Sequence, residues 1–578
     1  MRRWFLLAGA LCVAPVHSAN LCVNADGTEK AWAGAGYNAS ECDAWFSSIN
    51  AAASATAASG DTLILSMLED TVHMLSADTP AGRSFSVRNA ENSSDYSRCV
   101  VSAAGGNMLQ DLSAGGTVML RGVTVRDGVS TAAVQVSGTA TSDAAFVVDS
   151  VHFDANVSLA PGRALPPALA LATEPETHTV SYTVTRSRFT NNTHIGAGAG
   201  ALSFVDGTRL VVHRSLFEGN VAEADTGGAI WINPARRTDG CHATVLSSEF
   251  YGNAAATGGA MLASRDCNVT VHDTVTGAVN RGNVTTSADE FGRGVMFVLT
   301  DDTRVSLRVS DSEFAYNYVN PQSQSADGAA VRVANGAVGK GFVTALFEDS
   351  VFHHNEGWSG PAIHAGGETV STVRRCRFFN NVARGFAGAY FASGTRDSPP
   401  FGSHTITHSL FANNHTDNRG GAIRVAEYSS VDVSNSTFFN NTALDNGNHI
   451  DARTALGGAL STVTNSVFWS DEDNGLADIA SEANGSFGMI QYSALRPDAV
   501  ADSGATLSDI VELERSPVMG DGALRASSPL IDAGLNLDGQ VPALDIAGQP
   551  VPAGPGWDIG AFEFWRTPVT DKRQWERP

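Results

Sequence analysis

The stretch Ser436-Thr437-Phe438-Phe439-Asn440-Asn441 decides the fold, because it is one copy of a unit read along most of the chain. The Ser-x-Phe-x-x-Asn spacing is traced by Phe189/Asn192, Phe217/Asn220, Phe250/Asn253, Phe314/Asn317, Phe352/Asn355, Phe378/Asn381 and Phe411/Asn414. An early copy lies at Phe153/Asn156 and a decayed one at Phe468/Asp471. Successive phenylalanines are 26 to 38 residues apart, except for one interval of 64 in which a copy is skipped. A period of this size with variable length means stacked supersecondary units whose loops absorb the differences.

Helical repeats share such periods, so the local pattern has to choose between them. Before each Phe the chain alternates with period two, as in Thr405-Ile406-Thr407 and Val431-Asp432-Val433. This predicts short strands parted by Gly, Asn and Asp turns, three per unit, and hence one coil of a parallel β-helix. Ser and Phe, two apart, point the same way along a strand. The residue between them varies freely (Arg188, Leu216, Glu249, Glu313, Val351, Arg377, Leu410) and is expected to face water. Ser and Phe then face in, with the rings stacked along the axis. Asn is expected at a corner, in left-handed backbone, with its amide laddered from coil to coil.

A second signature lies between the copies: Gly227-Gly228-Ala229-Ile230, Gly258-Gly259-Ala260-Met261, Gly420-Gly421-Ala422-Ile423 and Gly457-Gly458-Ala459-Leu460. Paired with Phe-x-x-Asn, it resembles the repeats of the polymorphic outer-membrane proteins, bacterial surface passengers and adhesins. More broadly the chain looks like the right-handed parallel β-helix proteins of the pectate-lyase-like superfamily. Near the end, Ser528-Pro529-Leu530-Ile531-Asp532-Ala533-Gly534, Asp545-Ile546-Ala547-Gly548 and Trp557-Asp558-Ile559-Gly560-Ala561-Phe562-Glu563 are similar to the closing segment of secreted choice-of-anchor β-helix proteins. The resemblance implies an all-β, right-handed parallel β-helix with a cap at each end.

The organisation expected is therefore a signal peptide over 1–19, an N-terminal cap over 20–60 and repeats over 61–475. A C-terminal capping segment over 476–565, folded over the final coil, comes next, and a polar tail over 566–578 ends the chain. Arg2 and Arg3 precede an apolar stretch from Trp4 to Pro15, and Ser18 and Ala19 offer small residues for cleavage. No later segment reads as a membrane-spanning helix. Export is the expectation, to the medium or the outer cell surface.

Seven cysteines occur, of which Cys12 lies in the leader. Cys241 and Cys267 fall at equivalent positions of adjacent coils, where strand spacing permits a disulfide. Cys22 and Cys42 flank a Gly-rich loop and are expected to pair as an N-terminal staple. Cys376 occupies an inward Ser slot as a buried thiol, and Cys99 has no evident partner. Net charge is −23, and the leader takes two arginines with it. Such acidity argues against nucleic acid and anionic lipid as partners.

The one functional signal lies on the Gly-Ala strands. The residue after each inward aliphatic reads Trp231, Leu262, Phe297, Arg332, His364, Phe391 and Arg424, with Ser461 beyond it. Such a stripe of aromatics and cations would suit an extended polysaccharide, since aromatic faces stack on sugar rings and Arg pairs with acidic groups. Loops such as 155–175 and 393–404, or a neighbouring subunit, could equally cover it. Arg332, His364 and Arg424 are the candidates for a base and a charge clamp, should the chain be a polysaccharide lyase or a glycoside hydrolase. Carboxylates at the same level are missing from this reading, as are the hydrolase signatures Asn-Thr-Asp, Gly-His-Gly and Arg-x-Lys. His353-His354 is expected to be a solvated corner with its rings on opposite sides. Asp301-Asp302 and Asp471-Glu472-Asp473 read as acidic turns rather than Ca²⁺ loops, so no cofactor or metal is expected. The favoured reading is a secreted or cell-surface protein that binds a polysaccharide or a surface protein without chemistry; the alternatives are a polysaccharide-cleaving enzyme and a structural filament subunit.

Overall fold

A computed structural model describes residues 19–564 apart from short segments, the longest being 30–36, 160–165, 234–239, 287–293, 321–326, 336–340, 395–401, 454–459 and 482–486. The proposed leader and the polar tail lie outside the described residues. The chain forms a right-handed parallel β-helix of four all-parallel sheets with 18, 16, 10 and 14 strands. One coil runs through Val180–Thr185, Arg188–Thr190, Thr193–His194 and Leu202–Asp206, one strand on each face in that order, before the next begins at Arg209–His213. These are the first to fourth faces below.

Register is carried by the repeat itself. Phe189 stands opposite Phe153 and Phe217, so the rings form an internal column. The Phe189 and Phe217 rings are 4.6 Å apart and tilted by only 2°. The 64-residue interval holds a complete coil, in which Thr276 takes the Phe place between Phe250 and Phe314. The stack is thereby split into two runs.

The amide ladder exists, with one correction to its backbone. The left-handed residue is the one before the ladder Asn, as at Asn191 (φ 55°), Tyr316 (φ 55°), His354 (φ 53°) and Asn440 (φ 51°). That turn swings the next side chain inward, and Asn192, Asn220, Asn253 and Asn441 are fully buried. Asn220 Nδ2 donates to Asn253 Oδ1 at 2.9 Å and to the Phe189 carbonyl at 2.8 Å. In the skipped coil Asn283 keeps the ladder unbroken. At its end Asn441 Nδ2 meets His449 Nδ1 at 3.1 Å. Since the amide donates there, the ring accepts at Nδ1, and burial holds its pKa down to about 4.

Cys376 fills the Ser slot, fully buried beside Ser409, and burial pushes its thiol up to about 12. Cys99 is likewise a buried free thiol. Both expected disulfides are present, Cys22–Cys42 and Cys241–Cys267, with Cα separations of 5.7 and 4.9 Å. At the N-terminal end the helix Ile49–Ala55 is capped by Ser48 Oγ, which accepts from the Ala51 amide. Ile49, Ala52 and Ala53 of this helix join the cluster that contains Leu63. Trp45 belongs to the preceding strand, Ala44–Phe46.

The C-terminal expectation needs two corrections. Coils continue past 475, through Ile479–Ser481, Phe487–Gln491 and Ala494–Leu495 to Val511–Glu512. They lack the Phe signature because Leu495 and then Glu512 take the Phe place. The segment after Glu512 reaches well beyond the last coil. Its residues Leu513, Val518, Leu524, Leu530, Ile546, Ile559, Ala561 and Phe562 pack on the outer side of the second face, against Leu410, Ala412, Phe439, Val467 and Ala494. Polar contacts fix this clasp: Asn465 exchanges two hydrogen bonds with the Leu535 backbone, at 2.8 and 2.7 Å, and Ala561 N–H donates to Thr437 Oγ1 at 3.0 Å. The clasp has little strand structure, so carboxylates take up its amides. Asp545 accepts from Ala547, Gln549 and Glu563, and Asp558 accepts from Asp532 and Phe564. Among the described residues no helix is long and apolar enough to cross a membrane.

Candidate functional site

The outward column of the fourth face is the sequence stripe, with two changes of membership. Leu262 pairs with Ile230 and Met296, which places it inside and fully buried; Ala263 stands between Trp231 and Phe297. The motif alone reads one residue early there, because Met261 and Leu262 are both apolar. Beyond Arg424 the place belongs to Asp451, since Ile423 pairs with Ile450 and Arg424 with Asp451. Gly447-Asn448-His449-Ile450 is the true equivalent of Gly-Gly-Ala-Ile, with Gly447 (φ 66°) matching Gly420 (φ 74°). Leu460 is exposed and Ser461 opens a strand of the first face; Gly457, Gly458 and Ala459 lie outside the described residues.

The column divides in two. From Arg332 to Asp451 its side chains fill one another's space. Asp327 precedes the Gly-Ala strand that carries Arg332, and its carboxylate lies 3.5 Å from Arg332 Nη1 and 3.7 Å from His364 Nδ1. The His364 ring stacks on Phe391 with centroids 4.8 Å apart. Arg424 pairs with Asp451 and lies over the Phe386 ring at 4.8 Å. His364, Arg424 and Asp451 are 6%, 3% and 0% exposed, so this half offers no open groove. Burial holds the His364 pKa down to about 4 against the pull of Asp327, which leaves the ring neutral at pH 7. The expectation that carboxylates are missing at this level is thus overturned by Asp327 and Asp451. Asp451 is hidden in the sequence because its strand carries His where the motif has Ala.

The other half opens into a cleft of about 190 Å³. Half-buried Trp231 lines it with Asp225, Asn233, Ser264 and Arg265, and Phe297 and Leu299 form its apolar part. Arg265 is itself partnered, its Nε 3.3 Å from Asp301. The cleft joins two aromatics, Trp231 and Phe297, to several hydrogen-bonding groups, with Arg265 paired to Asp301 and Asp225 adding a carboxylate. That is the equipment for holding a small polar ring by stacking and hydroxyl contacts, with no cation left over to favour an acidic one.

His353 and His354 also depart from expectation. The left-handed backbone at His354 brings the two rings together, with their Nδ1 atoms 2.8 Å apart. Among the described residues no group of three or more His, Cys, Asp and Glu side chains converges as a metal site would. In comparison with known proteins, no family model and no curated protein matches this chain.

Proposed function

We propose that the protein is an exported β-helix, secreted or held at the cell surface, that binds a polysaccharide without cleaving it, through the cleft at Trp231. The observation carrying this reading is the cleft itself, the open part of a column whose remaining members are packed against each other. Since Arg265, Arg332 and Arg424 each have an aspartate beside them, the chemistry favours an uncharged sugar over an acidic one. The resemblance of the repeats to polymorphic outer-membrane-type passengers, and of residues 528–563 to choice-of-anchor segments, supports a surface role. Two disulfides are consistent with an oxidising compartment.

The test is binding and turnover of residues 20–578 on a panel of neutral and acidic polysaccharides. Binding without release of reducing or unsaturated ends, weakened at least tenfold by Trp231→Ala, is the expected result, as loss of a stacking aromatic removes about 1.4 kcal/mol or more.

A second reading has its own observation. Asp327, Arg332 and His364 stand together, the neutral imidazole being in the form a general base requires. If polysaccharide is cleaved, and cleavage is lost in His364→Ala and Asp327→Asn, the chain is a lyase or hydrolase of the kind found in the pectate-lyase-like superfamily.

A further inference from the structure

On the corner between the second and third faces, His353 and His354 are held in one arrangement by every neighbour they have. The His353 ring stacks on Phe379 of the next coil at 4.7 Å, and the His354 ring stacks on Tyr316 of the preceding coil at 4.7 Å. The two imidazoles stand nearly perpendicular, at 82°. Glu313 Oε1 lies 2.8 Å from His353 Nε2, so that nitrogen carries the proton and Nδ1 is left as a lone pair. The His353 Nδ1 atom lies 2.8 Å from His354 Nδ1. His354 Nε2 has the Asn380 amide at 3.3 Å. This pair is solvent-accessible, with His354 exposed.

We propose that His353 and His354 form a two-imidazole surface site for a divalent transition metal of tetragonal preference, copper(II) first. Carboxylate-held histidines are how proteins fix the tautomer and orientation of a metal ligand, and Glu313 does this for His353. The separation selects the metal. Two nitrogens about 2.0–2.1 Å from an ion lie about 2.9 Å apart at a right angle but about 3.3 Å apart at the tetrahedral angle. The 2.8 Å observed matches neighbouring corners of a square-planar or tetragonal ion, and the affinity order of divalent metals puts copper(II) above nickel(II). Without metal, His354 donates its Nδ1 proton to His353. On binding that proton moves to His354 Nε2, where the Asn380 amide turns its oxygen to accept it, so both Nδ1 lone pairs face the ion. Water completes the coordination, which makes this a binding site open to an exogenous ligand rather than a closed structural one.

The experiment is titration of chelator-treated residues 20–578 with aqueous copper(II), followed by electron paramagnetic resonance and by tyrosine fluorescence. One equivalent bound, with a two-nitrogen tetragonal spectrum, is the expected result. His353→Gln and His354→Gln should each weaken binding at least 100-fold, and Glu313→Ala about 10–100-fold as a supporting partner. All three residues lie on the surface, and unchanged circular dichroism verifies that the variants fold. Copper bound as tightly by the His353→Gln/His354→Gln double variant, a spectrum with one nitrogen or none, or tighter binding of zinc(II) than of copper(II) would each overturn the site.

Discussion

The second face carries two different outer surfaces on one continuous inner surface. Inside, both halves hold the same Phe column and the same amide ladder. Outside, the half before residue 355 presents Arg188, Leu216, Glu249, Val275, Glu313 and Val351 in one column, charged residues alternating with aliphatic ones. In the half after it, Phe379, Leu410, Ala412, Phe439, Val467 and Trp469 make the outer surface apolar, and residues 513–564 lie across it. The inner face of a solenoid is dictated by stacking like on like. Its outer face records what covers it, because an apolar surface of that extent left bare would be an association site.

The comparison can be broken first at the core. Phe217→Ala on the bare half and Phe411→Ala on the clasped half should each cost about 3–5 kcal/mol, the usual loss for a buried Phe, since both rings are fully buried between two others. Denaturant titration measures both. A large inequality would mean that the clasp, not the column, dominates stability in its half.

The matched pair of outer leucines sharpens the difference. Leu216 and Leu410 occupy the same register position, but Leu410 is 7% exposed under the clasp while Leu216 is half-buried between Arg188 and Glu249. Leu410→Asp places an unpaired carboxylate in an apolar contact and should destabilise by about 3 kcal/mol or more. Leu216→Asp should stay within about 0.5 kcal/mol. Proteolysis within 513–564 is the readout that separates loss of the clasp from loss of the coil.

Much of this architecture is legible in the sequence, for a physical reason. Strand, inward Ser and Phe, ladder Asn and the Cys241–Cys267 disulfide follow from periodicity and from equivalence between neighbouring coils, and Cys22–Cys42 from two cysteines flanking one loop, all of them local properties. Errors enter where two residues satisfy one local rule, as Met261 and Leu262 do, or where a coil keeps its geometry with other residues, as Gly447-Asn448-His449-Ile450 does. The seat of the clasp is hidden because its docking surface lies on several earlier coils, as far back as Leu410, and no periodicity links Ile559 to Val467. In the site, the column is readable but its closure is not. Asp451 meets Arg424, and Asp327 meets His364, across coils, and adjacency in sequence does not reveal this.

The amide ladder crosses both halves and gives a smaller effect. Asn220→Ala removes the donor to the Phe189 carbonyl and the acceptor for Asn192, leaving buried polar groups without partners. A loss of about 1–3 kcal/mol is expected, and Asn381→Ala on the other side should match it. Both are measured by the shift in denaturant midpoint.

The smallest effect belongs to the clasp alone and depends on pH. Burial, with Asp558 and Asp545 adding to it, pushes the Glu563 carboxyl up to about 7, against the amides of Ala553 and Asp558 that favour its ionised form. A raised acid binds its proton more tightly in the folded state than in the unfolded one. The stability this lends is complete below the ordinary carboxyl pKa of about 4.3 and is lost as pH rises through about 7. Asp545 and Asp558 are raised in the same direction by burial, so they act with Glu563 rather than against it. Limited proteolysis of 513–564 should therefore quicken between pH 5 and pH 8, after correction for the protease's own pH profile, while the bare half stays resistant throughout. Glu563→Gln keeps the side chain's size without its charge and should flatten the change. A clasp that instead loosens towards pH 5 would mean that the amide contacts outweigh burial, and that these carboxylates hold the clasp through their charge.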